Sequence, residues 1–386
     1  MKVLVVHNRY QQAGGEDAVV DAEVALLQSR GVDVRRYERH NDDIQHISRA
    51  SAALQAYWSR QTVSELSDLM AQWQPDVIHV HNTLSLVSPS VYWVADRFGV
   101  PVVQTLHNFR LLCPQGMLLR DGQVCEQCVG KSVAWPAVAH ACYRESALQS
   151  AVLAGLVAGH RALGTYSNKV ARFIALNDFC RAKFVQGGLP ADKLVVKPNF
   201  VDLPAPDQLV DRAGGLFVGR LSHEKGVATL VQAKHSQPAL PVKVIGSGPM
   251  GDAVQTAFGS DLLGFLPLAE IVEHMRRSAF LVLPSICYEN FPRTVVEAFA
   301  CGLPVIASRM GSMAVLVKEG ETGLLFNPGD AQDLVTKIQW AQAHPAEIAR
   351  MGCQARRQYE EEFNADVNFE LLMAIYQDAM AASNGA

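Results

Sequence analysis

Short apolar runs alternate with amphipathic stretches along the first half of the chain. Between these runs lie segments such as residues 17–30, where Val20, Val24 and Leu27 recur at helical spacing. Apolar runs without alternation are typical of parallel strands that are buried on both faces. The pattern therefore predicts a parallel α/β array, with strands at residues 2–7, 76–81, 101–107, 170–176 and 194–197.

The same alternation begins again after a segment, residues 198–214, that has three prolines and no periodicity. This segment is predicted to be a linker, so the fold class is α/β, with two Rossmann-like doubly wound domains facing a central cleft. The predicted domains are 1–197 and 215–362, and a C-terminal helix, 363–386, is expected to pack back on the first domain. Strands of the second array are predicted at residues 216–219, 242–246, 261–264, 280–284 and 304–308.

Composition and charge narrow the range of functions. The chain has 386 residues, of which 49% are hydrophobic, enough for two well-buried domains. Its net charge of -4 argues against a nucleic-acid partner. Residues 2–7 read as a strand and not as a signal peptide, and the apolar stretch 151–159 is too short to cross a bilayer. We expect a cytoplasmic protein that at most contacts the inner face of the membrane.

Glu289 and Glu297 bracket a predicted helix start, with Pro292 as its first helical residue. Free N–H groups at a helix start bind anions, and a carboxylate just before it can accept from hydroxyls. The alternative is a pair of solvated glutamates beside an ordinary helix. The candidate ligand contacts between the two carboxylates are Asn290, Phe291, Pro292, Arg293 and Thr294.

Further candidate contacts follow other predicted strands of the second array. Arg220 and Lys225 lie at a strand-to-helix junction, where both can converge on a diphosphate and balance the charge of a leaving group. A charged surface loop is the plainer alternative. Gly246 and Gly248 allow close backbone approach to a ligand, and Phe265 lies where backbone groups could read a base.

In the first array, Gly15 belongs to the loop 13–16, which lacks the spacing of the dinucleotide fingerprint. It is expected to lean over phosphates. His107 ends a predicted strand and can hydrogen-bond a sugar, although a lone histidine is more often structural.

The cysteines fall into two groups. A C-x11-C-x2-C-x13-C array, which either binds a structural zinc or consists of four reduced thiols, is formed by Cys113, Cys125, Cys128 and Cys142. Cys180, Cys287, Cys301 and Cys353 are expected to be isolated buried thiols.

Taken together, these segments resemble the family 4 retaining glycosyltransferases of the GT-B fold. Glu289 to Glu297 matches the family's E-x7-E motif, and residues 298–306 are similar to its usual continuation. Residues 218–226 resemble its phosphate-binding loop and residues 198–202 its hinge. The cysteine loop is similar to that of a bacterial polysaccharide-assembly subset.

The resemblance implies roles by position. Glu289 would contact the hydroxyls of the donor sugar and Glu297 those of the ribose, while Arg220 and Lys225 would hold the diphosphate. Gly15 would lie over the phosphates and His107 near the outer carbons of the sugar. The family needs no catalytic metal or cofactor, which agrees with the lack of a D-x-D motif. Asn290 stands where glycine or phenylalanine is frequent, so the donor sugar stays open.

The implied reaction is front-face displacement, in which the acceptor hydroxyl attacks from the side that the phosphate leaves and domain closure completes the site. The donor would be a UDP- or GDP-linked sugar and the acceptor a polysaccharide or a lipid-linked oligosaccharide. Two alternatives stay open: a nucleotide-sugar 2-epimerase on the same fold, and a non-catalytic protein that binds sugar nucleotides.

Overall fold

The computed structural model describes residues 1–11, 14–204 and 211–384. Ala13 of the glycine loop, residues 205–210 of the predicted linker and the last two residues of the predicted terminal segment lie outside the described residues. The α/β fold class is confirmed, because two six-stranded parallel sheets carry helices between their strands. A two-stranded antiparallel hairpin accompanies them.

The strands are β1 (Lys2–Arg9), β2 (Asp33–His40), β3 (Val77–Val80), β4 (Val102–Thr105), β5 (Leu119–Arg120), β6 (Gln123–Val124), β7 (Arg172–Ala175), β8 (Leu194–Val196), β9 (Gly215–Val218), β10 (Val242–Ile245), β11 (Leu262–Gly264), β12 (Phe280–Leu283), β13 (Val305–Ser308) and β14 (Gly323–Phe326). The helices are α1 (Gly15–Ser29), α2 (Arg49–Tyr57), α3 (Arg60–Trp73), α4 (Ser90–Arg97), α5 (Trp135–Ala139), α6 (Ala147–Ala162), α7 (Thr165–Asn168), α8 (Asp178–Gln186), α9 (Val227–Ser236), α10 (Gly251–Phe258), α11 (Leu268–Arg277), α12 (Arg293–Ala300), α13 (Met313–Leu316), α14 (Ala331–Ala343), α15 (Pro345–Gln358) and α16 (Ala365–Asn384).

The first compact unit comprises Met1–Met117, Glu126–Asn199 and Ala365–Ala386. Its sheet has the order β2-β1-β3-β4-β7-β8, and all of these pairings are parallel. Val20, Val24 and Leu27 of α1 are fully buried, as their helical spacing predicts. The C-terminal helix α16 adds Leu372 and Tyr376 to the same core.

The second compact unit comprises Leu118–Cys125 and Phe200–Asn364. Its sheet has the order β11-β10-β9-β12-β13-β14 and is parallel throughout. Helix α12 buries Val295, Val296 and Phe299 in the core, which fixes the direction in which its first turn points. The carboxyl ends of β9 to β12 therefore meet at the edge where this turn lies.

Several local predictions need correction. Pro292 is the N-cap of α12 and not its first helical residue. Cys353 is exposed, whereas Cys180, Cys287 and Cys301 are buried as expected. The predicted strands lack both β2 and β14. The sequence of β2, DVRRYERH, is polar, and only one of its eight residues is buried at this edge of the sheet. β14, GLLF, is buried, but a run of four residues is too short for periodicity to indicate a strand. Among the residues that the structure describes, no helix combines the length and the apolar character that crossing a bilayer requires.

Candidate active site

Backbone hydrogen bonds join three loops at the carboxyl ends of β9, β10 and β11. The amide of Gly219 donates to the carbonyl of Ile245 over 3.0 Å, and that of Leu221 donates to Ser247 over 2.9 Å. The amide of Gly246 donates to the carbonyl of Gly264 over 2.8 Å. The loops therefore form one fixed surface beyond the sheet, where ligands of doubly wound folds bind.

The local backbone explains why positions 246 and 248 are glycines. Both have positive φ, 147° and 155°. A Cβ atom on Gly246 would lie 1.9 Å from the carbonyl oxygen of Gly219, and one on Gly248 would lie 2.6 Å from that of Leu221. The close approach that the sequence suggested is thus made by neighbouring backbone. Contact of these two glycines with a donor stays a prediction.

Gly226 joins the same surface to the end of β12. Its φ is +70°, and a Cβ atom there would lie 1.7 Å from the carbonyl oxygen of Pro284. We predict that Gly226→Ala destabilises the protein by more than the ~1–2 kcal/mol of a left-handed alanine, because the backbone must also move. Gly329→Ala is the control, since Gly329 has φ +79° but no atom within 4 Å of its Cβ position. Equal losses of stability in urea unfolding would contradict the predicted steric effect.

Lys225 and Glu289 form an ion pair at the centre of this surface. Lys225 Nζ lies 2.7 Å from Oε1 and 2.8 Å from Oε2 of Glu289, and Ser285 Oγ donates to Oε1 over 2.6 Å. Burial alone would raise the pKa of Glu289, but the Lys225 charge and the hydrogen bonds of Lys225 and Ser285 hold this pKa below its ordinary value. Glu289 is therefore a carboxylate at neutral pH. Oε2 keeps lone-pair capacity for a further donor such as a sugar hydroxyl.

The first turn of α12 begins four residues after Glu289. Its N-cap, Pro292, has no side-chain acceptor, and among the described residues no side chain caps the amides of this turn. Arg293 Nε lies 3.2 Å from Glu297 Oε1. Burial raises the pKa of Glu297, while the Arg293 charge partly opposes the shift. The two carboxylates of the motif thus differ: Glu289 is fixed by a lysine, and Glu297 is buried beside an arginine.

Arg220 and Phe265 are exposed at the rim of the same loops. Phe265 has 79% of its surface exposed. Within the described residues, the Arg220 side chain makes no ion pair or hydrogen bond with the protein. An exposed aromatic ring and an exposed guanidinium suit a planar base and a phosphate respectively. Asn290 is buried, and its carbonyl accepts from Ser312 Oγ over 2.9 Å, which holds the turn before α12.

The hairpin β5–β6 is a part of the second unit that sequence reasoning missed. It comes from the loop that carries the cysteines, yet its contacts place Leu118–Cys125 with the second unit. A Cβ atom on Gly122 would lie 3.1 Å from Cε1 of His223, two residues before Lys225. A strand of two residues is too short to show an alternation of polar and apolar positions. The sequence therefore indicates the hairpin only through its Asp121–Gly122 turn.

The candidates of the first unit lie at the carboxyl ends of β1 and β4. Gly15 opens α1, and a Cβ atom on it would meet nothing within 4 Å, so packing does not explain this glycine. Burial raises the pKa of the neighbouring Glu16 to about 7, although the hydrogen bond that the Tyr10 hydroxyl donates to its carboxylate over 2.9 Å acts in the opposite direction.

The second candidate, His107, contacts another histidine. Its Nε2 lies 2.9 Å from Nδ1 of His81. Burial lowers the pKa of His107 well below its ordinary value, so its ring is neutral at pH 7.

Family comparisons cover most of the chain. Residues 13–204 match the model described as Glycosyltransferase Family 4, and residues 215–358 match that described as Glycosyl transferases group 1. The chain belongs to glycosyltransferase family 4. The matched segments contain the candidates of both units, from Gly15 to Glu297.

Curated relatives of this family 4 chain match it over part of their length. The amylovoran biosynthesis glycosyltransferase AmsK of Erwinia amylovora is 27% identical over 50% of this chain and 53% of its own. The D-inositol 3-phosphate glycosyltransferase of Gordonia bronchialis is 27% identical over 79% of this chain and 66% of its own. The chain thus spans between half and two thirds of the length of these relatives.

Solved structures confirm the GT-B fold. Sucrose-phosphate synthase from Thermosynechococcus elongatus superposes with a TM-score of 0.73, at 20% identity and 99% coverage of both chains. HepE of Anabaena, solved with UDP-glucose, gives a TM-score of 0.65 at 18% identity, covering 98% of this chain and 100% of its own. At such identities the likeness concerns the fold alone.

The cysteine array of this family 4 chain is not gathered into one ligand set. Among the described residues, only Glu23, His79 and His81 bring three metal-ligating atoms within 4.8 Å of one another. Cys113 and Cys128 are buried, and contacts place Cys125 in the second unit and the other three array members in the first.

Zinc at the cysteine array stays a prediction. Elemental analysis should give about one zinc per chain, and Cys125→Ser should remove it. Negligible zinc in protein purified without chelator would contradict the prediction.

Proposed function

We propose that this chain is a retaining, metal-independent glycosyltransferase that moves a sugar from a UDP- or GDP-linked donor to a polysaccharide or lipid-linked oligosaccharide. The observation that carries the proposal is the pair of Lys225 and Glu289 in the second unit. The ammonium group of Lys225 can bind a diphosphate, and the carboxylate of Glu289, which Lys225 holds in place, can accept hydrogen bonds from hydroxyls. A sugar joined to a diphosphate presents both groups on neighbouring atoms.

The surroundings of the pair supply the other contacts that such a donor needs. Arg220 and the uncapped first turn of α12, at Arg293 and Thr294, are positive groups for the diphosphate oxygens. Glu297 would accept from the ribose hydroxyls, and Phe265 would lie against the base. HepE of Anabaena, which shares the fold, forms a complex with UDP-glucose, and this supports a nucleotide-sugar donor.

The proposed reaction needs no enzymic nucleophile. The acceptor hydroxyl oxygen bonds to the anomeric carbon on the face that the diphosphate leaves, while the bond from that carbon to the phosphate oxygen breaks. The leaving phosphate oxygen takes the acceptor proton, so sugar configuration is retained and a nucleoside diphosphate departs. Lys225, Arg220 and the amides of α12 stabilise the charge that develops on this oxygen.

The first unit contains a cavity that suits the acceptor. Its empty volume is about 600 Å³, a figure that includes space open to solvent. Its lining combines polar side chains, among them His107, Gln104 and Arg110, with the apolar Leu153 and Leu156 of α6. Such a cavity accommodates sugar hydroxyls beside an apolar group. The name of AmsK, a biosynthetic enzyme of amylovoran, also supports a glycan acceptor.

We propose that the protein works at the cytoplasmic face of a membrane, because the first unit exposes large apolar side chains near a cation. Trp135 is 60% exposed and Leu148 76% exposed, and Lys131 Nζ lies 5.7 Å from the centre of the Trp135 ring. Exposed aromatic and basic side chains together suit a lipid headgroup region.

A thermal-shift panel of UDP, GDP and their sugars tests the donor. At 100 times its Kd a ligand stabilises the folded state by ~2.7 kcal/mol, so the true donor should raise Tm by roughly 5–10 °C. Glu289→Ala should remove the extra shift of the sugar nucleotide over the free nucleotide diphosphate. If none of these ligands shifts the wild type, the proposed donor is wrong.

A further inference from the structure

A chain of buried polar side chains runs through the first unit from Lys197 to His107. Lys197 Nζ lies 3.1 Å from Glu23 Oε2. Glu23 Oε1 lies 3.3 Å from His81 Nε2, and because neither atom has a partner of hydrogen-bond geometry among the described residues, this contact is electrostatic. The other ring nitrogen of His81, Nδ1, lies 2.9 Å from Nε2 of His107. Lys197, Glu23 and His81 are each at most 4% exposed. His81 and His107 both line the cavity, and of the two only His107, at the far end of this relay of four side chains, is partly exposed.

The carboxylate sets the direction of the relay. Burial would raise the pKa of Glu23, but Lys197 and the two histidines hold it well below its ordinary value, so Glu23 is ionised and only accepts. His81 is neutral at pH 7, because burial lowers its pKa to about 3. A neutral imidazole has one N–H and one lone pair. Facing the carboxylate, Nε2 of His81 carries the N–H, since a lone pair there would meet negative charge.

The proton on Nε2 of His81 determines where the proton of His107 lies. With its proton on Nε2, His81 offers the lone pair of Nδ1 to His107. His107 must then donate from Nε2, and because its ring is also neutral, its lone pair is on Nδ1.

We propose that Glu23 and His81 are positioning residues that fix the tautomer of His107, so that His107 Nδ1 accepts a hydrogen bond from a hydroxyl of the acceptor sugar in the cavity. The identity of that ligand rests on the proposed function, whereas the tautomer is a property of the free protein. Gln104, which also lines the cavity, offers a second acceptor, because its buried Oε1 has no hydrogen-bond partner among the described residues. Two acceptors in the same cavity suit the hydroxyl donors of a sugar.

A metal ion at Glu23, His79 and His81 would be an alternative use of the same atoms. The charge of Lys197, in contact with Glu23, disfavours a further cation there. His79 is also engaged on both ring nitrogens, with Nδ1 2.7 Å from the Tyr376 hydroxyl and Nε2 2.8 Å from Thr105 Oγ1. The ion pair and these hydrogen bonds account for the cluster without a metal.

Histidine ¹⁵N NMR on the full chain tests the relay without any ligand. His107→Gln and His81→Gln assign the signals by their loss. In the wild type we expect the proton of the shared hydrogen bond on His107 Nε2, a lone-pair chemical shift for His107 Nδ1, and a ¹⁵N–¹⁵N coupling between His107 Nε2 and His81 Nδ1. A proton on His107 Nδ1 would overturn the proposal.

The role of Glu23 is tested by Glu23→Gln combined with Lys197→Met, which removes both charges and leaves no buried ion unpaired. We expect the reverse tautomer of His107 to become the major form, with a loss of about fivefold to tenfold in sugar transfer, the size of one hydrogen bond. His160→Asn, outside the relay, should leave the His107 signals unchanged. An unchanged tautomer in the double variant would reject Glu23 as its cause. If the tautomers are as expected but no sugar nucleotide binds, the proposed function fails and the relay stands.

Discussion

Lys225→Ala is expected to lower the rate of sugar transfer by about 100-fold or more. The ammonium group lies within 2.8 Å of both oxygens of Glu289 and next to the diphosphate position that we propose. Removing it takes away charge stabilisation from the leaving phosphate and leaves Glu289 without its cation, and the loss of one such electrostatic group costs about 10²–10³ in turnover. Steady-state rates of nucleoside diphosphate release would measure the effect.

Lys243→Ala is the matched control, because Lys243 is an exposed lysine of the same unit in β10. It should retain the wild-type rate. Circular dichroism of both variants shows whether the fold is kept. A Lys225→Ala protein that is folded and works at nearly the wild-type rate would reject the role of Lys225. Unchanged cellular glycan with Lys225→Ala and with Glu289→Ala would instead favour a non-catalytic sugar-nucleotide binder.

Lys197→Met is expected to give the largest loss of stability. Lys197 is 1% exposed and its Nζ contacts Glu23, which is itself 2% exposed. Removing one partner of a buried ion pair leaves the other charge uncompensated and costs about 3–5 kcal/mol. At about 2–4 °C per kcal/mol for a domain of this size, Tm should fall by roughly 10 °C.

The matched control is Lys193→Met. Within the described residues Lys193 donates to the carbonyls of Ser167 and Val170 and to no carboxylate, and it lies nearer the surface. Its loss in urea unfolding should be much smaller. The Glu23→Gln/Lys197→Met double variant should recover part of the stability that Lys197→Met loses, because it no longer buries an unpaired carboxylate. A double variant less stable than Lys197→Met would contradict this explanation.

The sequence predicted the architecture well because buried parallel strands have strong local signals. β3 and β12 are apolar at every or almost every position and fully buried, so their runs were recognised within one or two residues. The strand β2 was not predicted because it is an edge strand with a polar sequence and a single buried residue. The start of α12 was displaced by one residue, because proline suits both the N-cap and the first helical position.

The candidate site was predictable only where its residues are close in sequence. The turn from Glu289 to Glu297 is one local motif, and Lys225 lies in another. Their contact joins residues 64 positions apart, and no local pattern indicates it. The relay in the first unit is more distant still, since Glu23 meets Lys197 across 174 positions. His79 and His81 lie two positions apart at β3, and only their three-dimensional neighbours distinguish the one that leads to His107.

Proton NMR of sugar release tests the central claim most directly. The wild-type protein would be incubated with the sugar nucleotide that stabilises it, with and without a lipid-linked oligosaccharide fraction, and the anomeric signals followed from the first minutes. We predict that the sugar keeps the anomeric configuration that it has in the donor, that its C2 configuration is unchanged, and that the acceptor accelerates release. A first-formed product of the opposite anomeric configuration would contradict retention, and a C2-epimerised sugar formed without acceptor would show an epimerase instead.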